Sequence, residues 1–475
     1  MDDTQFATLQ TAIQSFQAPE NPNPPLMPPS SLELIRTHHH HNKPGSKQLR
    51  EARQTPERGF KELSTEEVLR LASARFIQSS APKTEGHPFG FVLSNLTRAE
   101  SRNVELAELL LSAAEKVGNQ QYDRAETLLK RCEESSPTSG NPVERVVHYF
   151  ARALRSRIER EEGRGKGKGV PAGEALEAMM SPHPLLVTTA RVLPFCKVIQ
   201  FTAMQAIIDG IGDARRVHAI DLGIQMGVQW PILMEHLASR RNPPCERLVI
   251  SAVTKSETLV SETRRWLASF AESLSLPFSF NPVIVSDMGS LKSDMFTEAA
   301  DAVVVYSSMI LYRLIVKQEK LVSLLNVLKT LNPRVMAVAE LETSQNSTSF
   351  VARFVEALFY YSAFFDALET FMGREDGDRR RMESEFFGEG IRSVVAVEGE
   401  ERIVRKVRIS VWRSFFGRFR AEEVELNRWA EYQAGLIVGG FGSGGRDCTI
   451  EVDGKALIVG WKGTPLASIS AWKFR

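Results

Sequence analysis

The chain has 475 residues, 43% hydrophobic and 25% charged, with fifty-nine Lys and Arg against fifty-eight Asp and Glu for a formal charge of +1. That composition is typical of a soluble globular protein, and the charge balance argues against an autonomous nucleic-acid coat protein. Four widely spaced cysteines (Cys132, Cys196, Cys245, Cys448), an acidic Met1-Asp2-Asp3 start and the lack of a long apolar run argue against a disulfide framework, a zinc module, a signal peptide and a bilayer span, so a cytosolic or nuclear protein is expected.

Residues 1–97 read as a tail with one helix in it. Pro19, Pro22, Pro24, Pro25, Pro28 and Pro29 cluster, and a run from His38 to His41 follows. Such composition buries too little apolar surface to offset ordering entropy, so disorder is expected. Metal binding by the His run is the alternative. Ser64-Thr65-Glu66-Glu67 is a capping-box signal, and Val68, Leu71, Ala72 and Phe76 form an apolar stripe. The spacing predicts an amphipathic helix over about 64–77 that docks on the main body.

From Val104 to about residue 210 the pattern is helical. Leu106, Leu109, Leu110, Ala113 and Ala114 open it, then Tyr122, Ala125, Leu128 and Leu129, then Val146, Val147, Tyr149, Phe150 and Leu154. A different pattern fills 215–475. Val217–Leu222, Val249–Val253, Phe278–Val285, Ala302–Tyr306 and Val335–Ala339 read as strands. Helical patterns separate them at Trp230–Ser239, Ser256–Ser273 and Ile310–Leu331. Alternation of this kind predicts a parallel, doubly wound sheet. A strongly apolar helix follows from Phe350, and Thr449–Val452 with Ala456–Trp461 reads as a hairpin turning at Asp453-Gly454. The expected fold is α/β: a Rossmann-like, methyltransferase-type sheet of five parallel strands plus an antiparallel C-terminal pair, under a helical cap layer.

The sharpest chemical signal is Asp221-Leu222-Gly223-Ile224-Gln225-Met226-Gly227, where the first strand meets its helix. In S-adenosylmethionine enzymes the glycines of such a turn admit backbone amides to the cofactor. Here Gln225 replaces the middle glycine, and Val253-Thr254-Lys255 offers no acid for ribose at the end of the second strand. Asp221, Gly223 and Gly227 therefore read as a vestigial turn, and no cofactor is expected. No Walker loop, no H-E-x-x-H and no G-x-S-x-G elbow occurs, so no catalytic residue is assigned. His87, His148, His183, His218 and His236 are not paired with acids at metal-ligand spacing. Leu106-Ala107-Glu108-Leu109-Leu110 and Leu321-Val322-Ser323-Leu324-Leu325 fit L-x-x-L-L, a helix-in-groove anchor, and also fit any buried helix.

The same residues resemble the GRAS family of plant regulators. Val217-His218-Ala219-Ile220-Asp221 resembles the VHIID motif, continued by Gly227-Val228-Gln229-Trp230-Pro231. Leu106 to Ile158 is similar to the first leucine-rich region and Trp230 to about Leu276 to the second. Pro333, Phe359-Tyr360, and Arg381 with Glu383 or Glu385 resemble the PFYRE motif, and Ala396 to Arg402 the stretch after it. Gly460-Trp461-Lys462 and Ser470-Ala471-Trp472 resemble the terminal SAW motif. The resemblance covers residues 98–475. The helix at Ser64–Ile77 resembles a segment of the DELLA-related branch, but no DELLA motif precedes it.

The resemblance implies a nuclear, non-enzymatic transcriptional regulator. Its partners would be DNA-binding transcription factors and other GRAS proteins, with DNA engaged mainly indirectly, no membrane, and homo- or heterodimers as candidate assemblies. The implied motif and interaction residues are Leu106, Leu109, Leu110, Val217, His218, Ile220, Asp221, Gln229, Trp230, Trp461, Ser470, Ala471 and Trp472. The alternatives are a divergent methyltransferase and a ligand-gated scaffold using the crevice at the first strand-helix turn.

Overall fold

The computed structural model describes residues 63–79, 96–164, 184–373 and 375–475. The proline cluster, the His run and the rest of the expected tail lie outside these residues, as do His87 and His183. Helix α1 spans Thr65–Ser79. Its start is fixed by a reciprocal box in which Glu67 N donates to Ser64 Oγ at 3.2 Å and Ser64 N donates to the Glu67 carboxylate at 2.7 Å. Val68, Leu69, Leu71, Ala72 and Phe76 are buried in the principal core, so the helix docks in cis. Next come α2 (Arg98–Gly118), α3 (Tyr122–Glu134) and α4 (Pro142–Glu161). Thr97/Glu100 and Asn141/Glu144 form capping boxes that satisfy the free amides at the starts of α2 and α4. Short α5 (Pro184–Val192) leads to α6 (Pro194–Ile211), which leaves the helical layer and lies along the sheet.

Among the described residues, the sheet has nine strands. β1 is Arg216–Asp221, β2 Arg247–Thr254, β3 Phe278–Ile284, β4 Ala302–Ser308 and β5 Val335–Leu341. The remaining four are β6 (Ala421–Val424), β7 (Cys448–Asp453), β8 (Ala456–Trp461) and β9 (Thr464–Phe474). The order is β3-β2-β1-β4-β5-β9-β8-β7, with β6 also paired to β9. The first five strands are parallel, and β9 runs antiparallel to β5 with Met336 opposite Trp472. The order turns back between β1 and β4, so the crevice at the carboxyl end of β1 sits at a topological switch point.

Helices cover both faces: α7 (Trp230–Ser239) and α8 (Glu257–Ser273) on one, α9 (Gln318–Leu331) on the other. Side chains alternate accordingly. Val335, Ala337 and Ala339 of β5 enter the principal core, while Met336 and Val338 enter a second one. The strands therefore read as continuous apolar runs, because both faces are buried. The long helix α10 (Phe350–Met372) packs Phe354, Phe359, Tyr360, Tyr361 and Phe365 inside. Helix α11 (Gly388–Val395), helix α12 (Ile409–Arg418) and helix α13 (Trp429–Gly439) follow it.

Two expectations are corrected. The antiparallel extension is not a pair: β9 follows β8 and is the strand that joins the hairpin to the parallel sheet, and β6 lies beside β9. The predicted helix Ile310–Leu331 is broken into a 3-10 turn, Leu311–Leu314, and α9. The buried Glu340 carboxylate accepts hydrogen bonds from Ile310 N at 3.0 Å and Leu311 N at 2.7 Å. It thereby caps the turn from the end of β5 and separates it from α9.

Trp472 is 2% exposed, packs against Phe416 at 4.6 Å between ring centroids and donates its indole N–H to Ser470 Oγ at 2.9 Å. Trp472→Ala empties that space beside the β5–β9 ladder. It should cost about 3–5 kcal/mol, read from urea unfolding followed by circular dichroism; an unchanged midpoint would refute the anchoring role.

Candidate functional site

Asp221 is the last residue of β1 and is buried. Its carboxylate accepts hydrogen bonds from Gly223 N at 3.1 Å, Gln229 Nε2 at 2.8 Å and Trp230 Nε1 at 2.9 Å. All three donors belong to the turn or to the start of α7, so the acid organises its own loop. Burial pushes its pKa up to about 6, against these hydrogen bonds. Trp230 is fully buried and meets Tyr306 of β4 edge-on at 5.9 Å.

The glycines of the turn serve internal packing. A Cβ on Gly223 would lie 2.3 Å from Ile310 Cδ1, so the approach that a cofactor needs is occupied by an apolar side chain of the β4–α9 connection. Gly227 has φ +63°, and a Cβ there would press on Leu267 and Thr263 at 3.1 Å. Helix α8 holds the turn's carbonyls: Thr263 Oγ1 donates to Gln225 O at 2.9 Å and Trp266 Nε1 to Met226 O at 2.9 Å. Thr254, where a ribose-binding acid would stand, accepts from Ser256 N at 3.1 Å and so shapes the start of α8. His218 is buried with Nε2 2.8 Å from Ser251 Oγ, and burial lowers its pKa. Val217 and Ile220 are buried on opposite faces of the sheet.

The other motif residues lie elsewhere. Leu106 and Leu110 are buried and Leu109 is half-buried against the same core. Leu321, Leu324 and Leu325 are buried in the second core. Neither L-x-x-L-L segment is therefore a surface anchor in this conformation, because the leucines are consumed by packing. Ser470, Ala471 and Trp472 are buried in β9. Trp461 ends β8 and donates its indole N–H to Asp366 at 2.7 Å.

Three polar centres were not assembled from the sequence, although Glu383 and Glu398 fell within the motif resemblance. The first is Asp366 of α10. Besides Trp461 it receives Thr65 N at 3.3 Å, Thr65 Oγ1 at 3.1 Å and Lys462 Nζ at 2.6 Å. Burial works to raise its pKa, but Lys462, Trp461 and Thr65 outweigh that and hold it below the ordinary value. An acid inside the apolar run Phe350–Met372 was the available signal. The second is Glu383, which pairs with Arg145 at 3.0 Å and Arg379 at 2.6 Å, all three buried. Arg145 also meets Glu369 at 2.9 Å. Of the two acids the PFYRE resemblance offered, Glu385 is the partner of Arg381, at 3.3 Å on the surface, while the buried Glu383 takes Arg379. The third is Glu398, bound by Arg157 at 2.7 Å and by the buried Arg353. Both Glu383 and Glu398 tie α4 of the helical layer to segments that follow α10.

The GRAS domain family profile matches residues 106–473, and the chain belongs to that family. It is 35% identical over 401 residues to Scarecrow-like protein 23 of Arabidopsis thaliana, covering 83% of this chain and 96% of that protein. It is 32% identical to DELLA protein RGL1 of Arabidopsis thaliana over 79% of this chain and 71% of the relative. Against DELLA protein SLR1 of Oryza sativa subsp. indica the identity is 31%, and the chain spans 62% of that longer protein. Among solved structures, SCL7 of Oryza sativa superimposes with a TM-score of 0.68 at 28% identity, covering 78% of this chain and 99% of that one.

Two measurements probe these centres. Asp366→Asn removes the charge facing Lys462 and should cost about 2–3 kcal/mol near neutral pH, with loss of amide-exchange protection in α1. Because the Asp366 pKa is depressed on folding, its contribution is present above the unfolded value of about 3.9 and is lost as pH falls through the folded one. Unaltered exchange in α1 would show that Asp366 does not hold it. Asp221 has the opposite sign: its pKa is raised, so its contribution is full below about pH 4 and fades as pH rises through about 6, on the order of 3 kcal/mol in all. The stability of the wild type relative to Asp221→Asn should therefore decline between pH 4 and pH 7 in urea titrations. A pH-independent difference would contradict the assignment.

Proposed function

We propose that the protein is a nuclear, non-enzymatic transcriptional regulator that acts as an interaction platform for DNA-binding transcription factors and other GRAS proteins. The observation that carries this reading is the state of the β1 turn. Gly223, Gln229 and Trp230 all donate to the Asp221 carboxylate, and Ile310 fills the approach over Gly223. A cofactor site at a switch point needs both to be open.

The strand order 3-2-1-4-5 with antiparallel strands appended supports reading the sheet as a Rossmann-like, methyltransferase-type scaffold. Fold alone assigns no chemistry. Family membership and the resemblance to Scarecrow-like and DELLA proteins support regulation over methyl transfer. No described helix combines a dense basic stripe with Asn or Gln for reading bases, which supports acting on DNA mainly through partners. The folded unit is proposed to begin at about Ser64, because α1 shares the principal core.

Two assays separate the readings. Affinity purification of the tagged protein from plant nuclei should recover sequence-specific DNA-binding factors or other GRAS proteins. Equilibrium dialysis against labelled S-adenosylmethionine should show no saturable binding. Saturable binding that Gly223→Val abolishes would transfer the assignment to the enzyme reading, and a protein that stays outside the nucleus without such partners would end the platform reading.

A further inference from the structure

Among the described residues, two arginines at the junction of α4, the start of α10 and the stretch 396–408 have no carboxylate of their own. Arg157 of α4 pairs with Glu161 and Glu398, Arg353 in the first turn of α10 pairs with Glu398, and Arg160 pairs with Glu401. Arg402 and Arg405 stand beside them, and their hydrogen bonds go to backbone carbonyls. Arg402 Nη1 donates to Gln345 O at 2.9 Å, and Arg405 donates from Nε to Arg402 O at 3.4 Å and from Nη2 to Gly399 O at 3.3 Å. Five guanidinium groups thus face three carboxylates, a surplus of two positive charges.

The surplus is poorly compensated. Arg353 is 0% and Arg402 3% exposed, and the Nε–H groups of Arg157, Arg353 and Arg402 are buried without an acceptor. Burial, reinforced by the like charges of Arg353 and Arg405, pushes the Arg402 pKa down to about 9. A buried guanidinium in this state is costly until an anion answers it. Gln345, against which Arg402 rests, is fully buried too, and neither atom of its side-chain amide has a partner. Arg353 Nη1 grips the same loop, donating to Ser347 O and Thr348 O, both at 2.8 Å.

We propose that this junction binds inorganic phosphate. The charge surplus matches a dianion. Guanidinium edges match the oxygens of a tetrahedral oxyanion in pairs, and the amino end of the 23-residue α10 adds positive potential. Hydrogenphosphate also carries a P–OH proton, which Gln345 Oε1 accepts while Nε2 donates to another oxygen; sulfate and the dianion of a phosphate monoester have no such proton. The burial of Arg353 and Arg402 excludes the backbone of a macromolecule. A small anion enters where solvent reaches the junction, at the half-buried Arg405 and at Glu398, whose side chain is 42% exposed. Glu398 stays with Arg157 and Arg353 and its charge opposes the anion, so Arg402 and Arg405 carry most of the binding. Bound there, phosphate fastens the loop before α10 to the stretch 396–408. The inference does not rest on the regulatory reading, since it is measured on the purified chain without partners.

The test is calorimetric titration of the full-length protein with inorganic phosphate, sulfate or glycerol phosphate, at fixed pH and with ionic strength matched by chloride. Thermal unfolding is followed in the same buffers. Phosphate is expected to bind saturably at one site per chain and to raise the unfolding midpoint. Sulfate strengthens folding by exclusion much as phosphate does, so it separates site binding from a general salt effect. Sulfate and glycerol phosphate should each bind about tenfold more weakly or less, the loss expected for one charge-assisted hydrogen bond. Arg402→Met should abolish the saturable heat. Arg405→Gln, at a half-buried position, keeps the fold and should weaken binding on the order of tenfold. The proposal is overturned by the absence of saturable phosphate heat, by sulfate or glycerol phosphate binding as tightly as phosphate, or by an affinity that neither arginine variant alters.

Discussion

The Asp366 carboxylate is the point on which the assembly of this fold turns. It lies in the C-terminal third of α10 and takes donors from the first described helix and from the last hairpin: Thr65, Trp461 and Lys462. Positions 65, 366 and 461 meet there. A carboxylate so placed would be costly if its donors were missing, because an unpaired buried charge has no compensating hydration. The contact thus links the order of α1 to the closure of β8 and β9, and neither end of the described chain is an appendage. Net stabilisation still comes from the apolar surfaces the three elements bury around it.

The helical layer is joined to the segments that follow α10 by two further Arg–carboxylate contacts, one buried and one at the surface. Arg145 and Arg157, both on α4, reach Glu383 and Glu398. Buried ion pairs contribute little to net stability, since desolvation offsets most of the attraction. Their effect is geometric. A helix packed only by leucines slides at small cost, whereas one whose guanidinium must meet a particular carboxylate has one register. Glu383 sits in a single stretch of π-helix, Met382–Phe387, which shifts side-chain positions around the helix axis relative to an α-helix. Arg379 and Glu383 are nonetheless four residues apart, the ordinary helical pairing distance, and what spacing could not report is that both are buried against Arg145.

The five parallel strands were legible because each is a short apolar run bounded by turns, and burial on both faces leaves no other use for such runs. β9 was not, because its centre, Ala467-Ser468-Ile469-Ser470-Ala471, mixes small and hydroxyl residues. Those serines are buried, and Ser470 Oγ reaches Val338 O at 3.5 Å. β6 is Ala-Glu-Glu-Val, too short and charged to announce itself. Asp221 was legible as an acid at a strand end. Its closed state was not, because Ile310 arrives from another connection and no local pattern reports what fills a glycine's space. Asp366 and Trp461 are 95 residues apart, a pairing that only the tertiary structure creates.

The filled turn also says something about how such a scaffold is used. A doubly wound sheet ordinarily spends its switch point on a ligand, and the loops there stay loose enough to admit it. In this protein the same loop is fastened from three sides, by Asp221, by α8 and by Ile310. Asp221, Leu222 and Ile224 of this turn are buried with the sheet. On the proposed reading, specificity then has to reside in the outer surfaces, such as the rim of the helical layer. A rigid interior is what lets such surfaces hold a fixed shape, because a partner that binds a preformed face is spared the cost of ordering it.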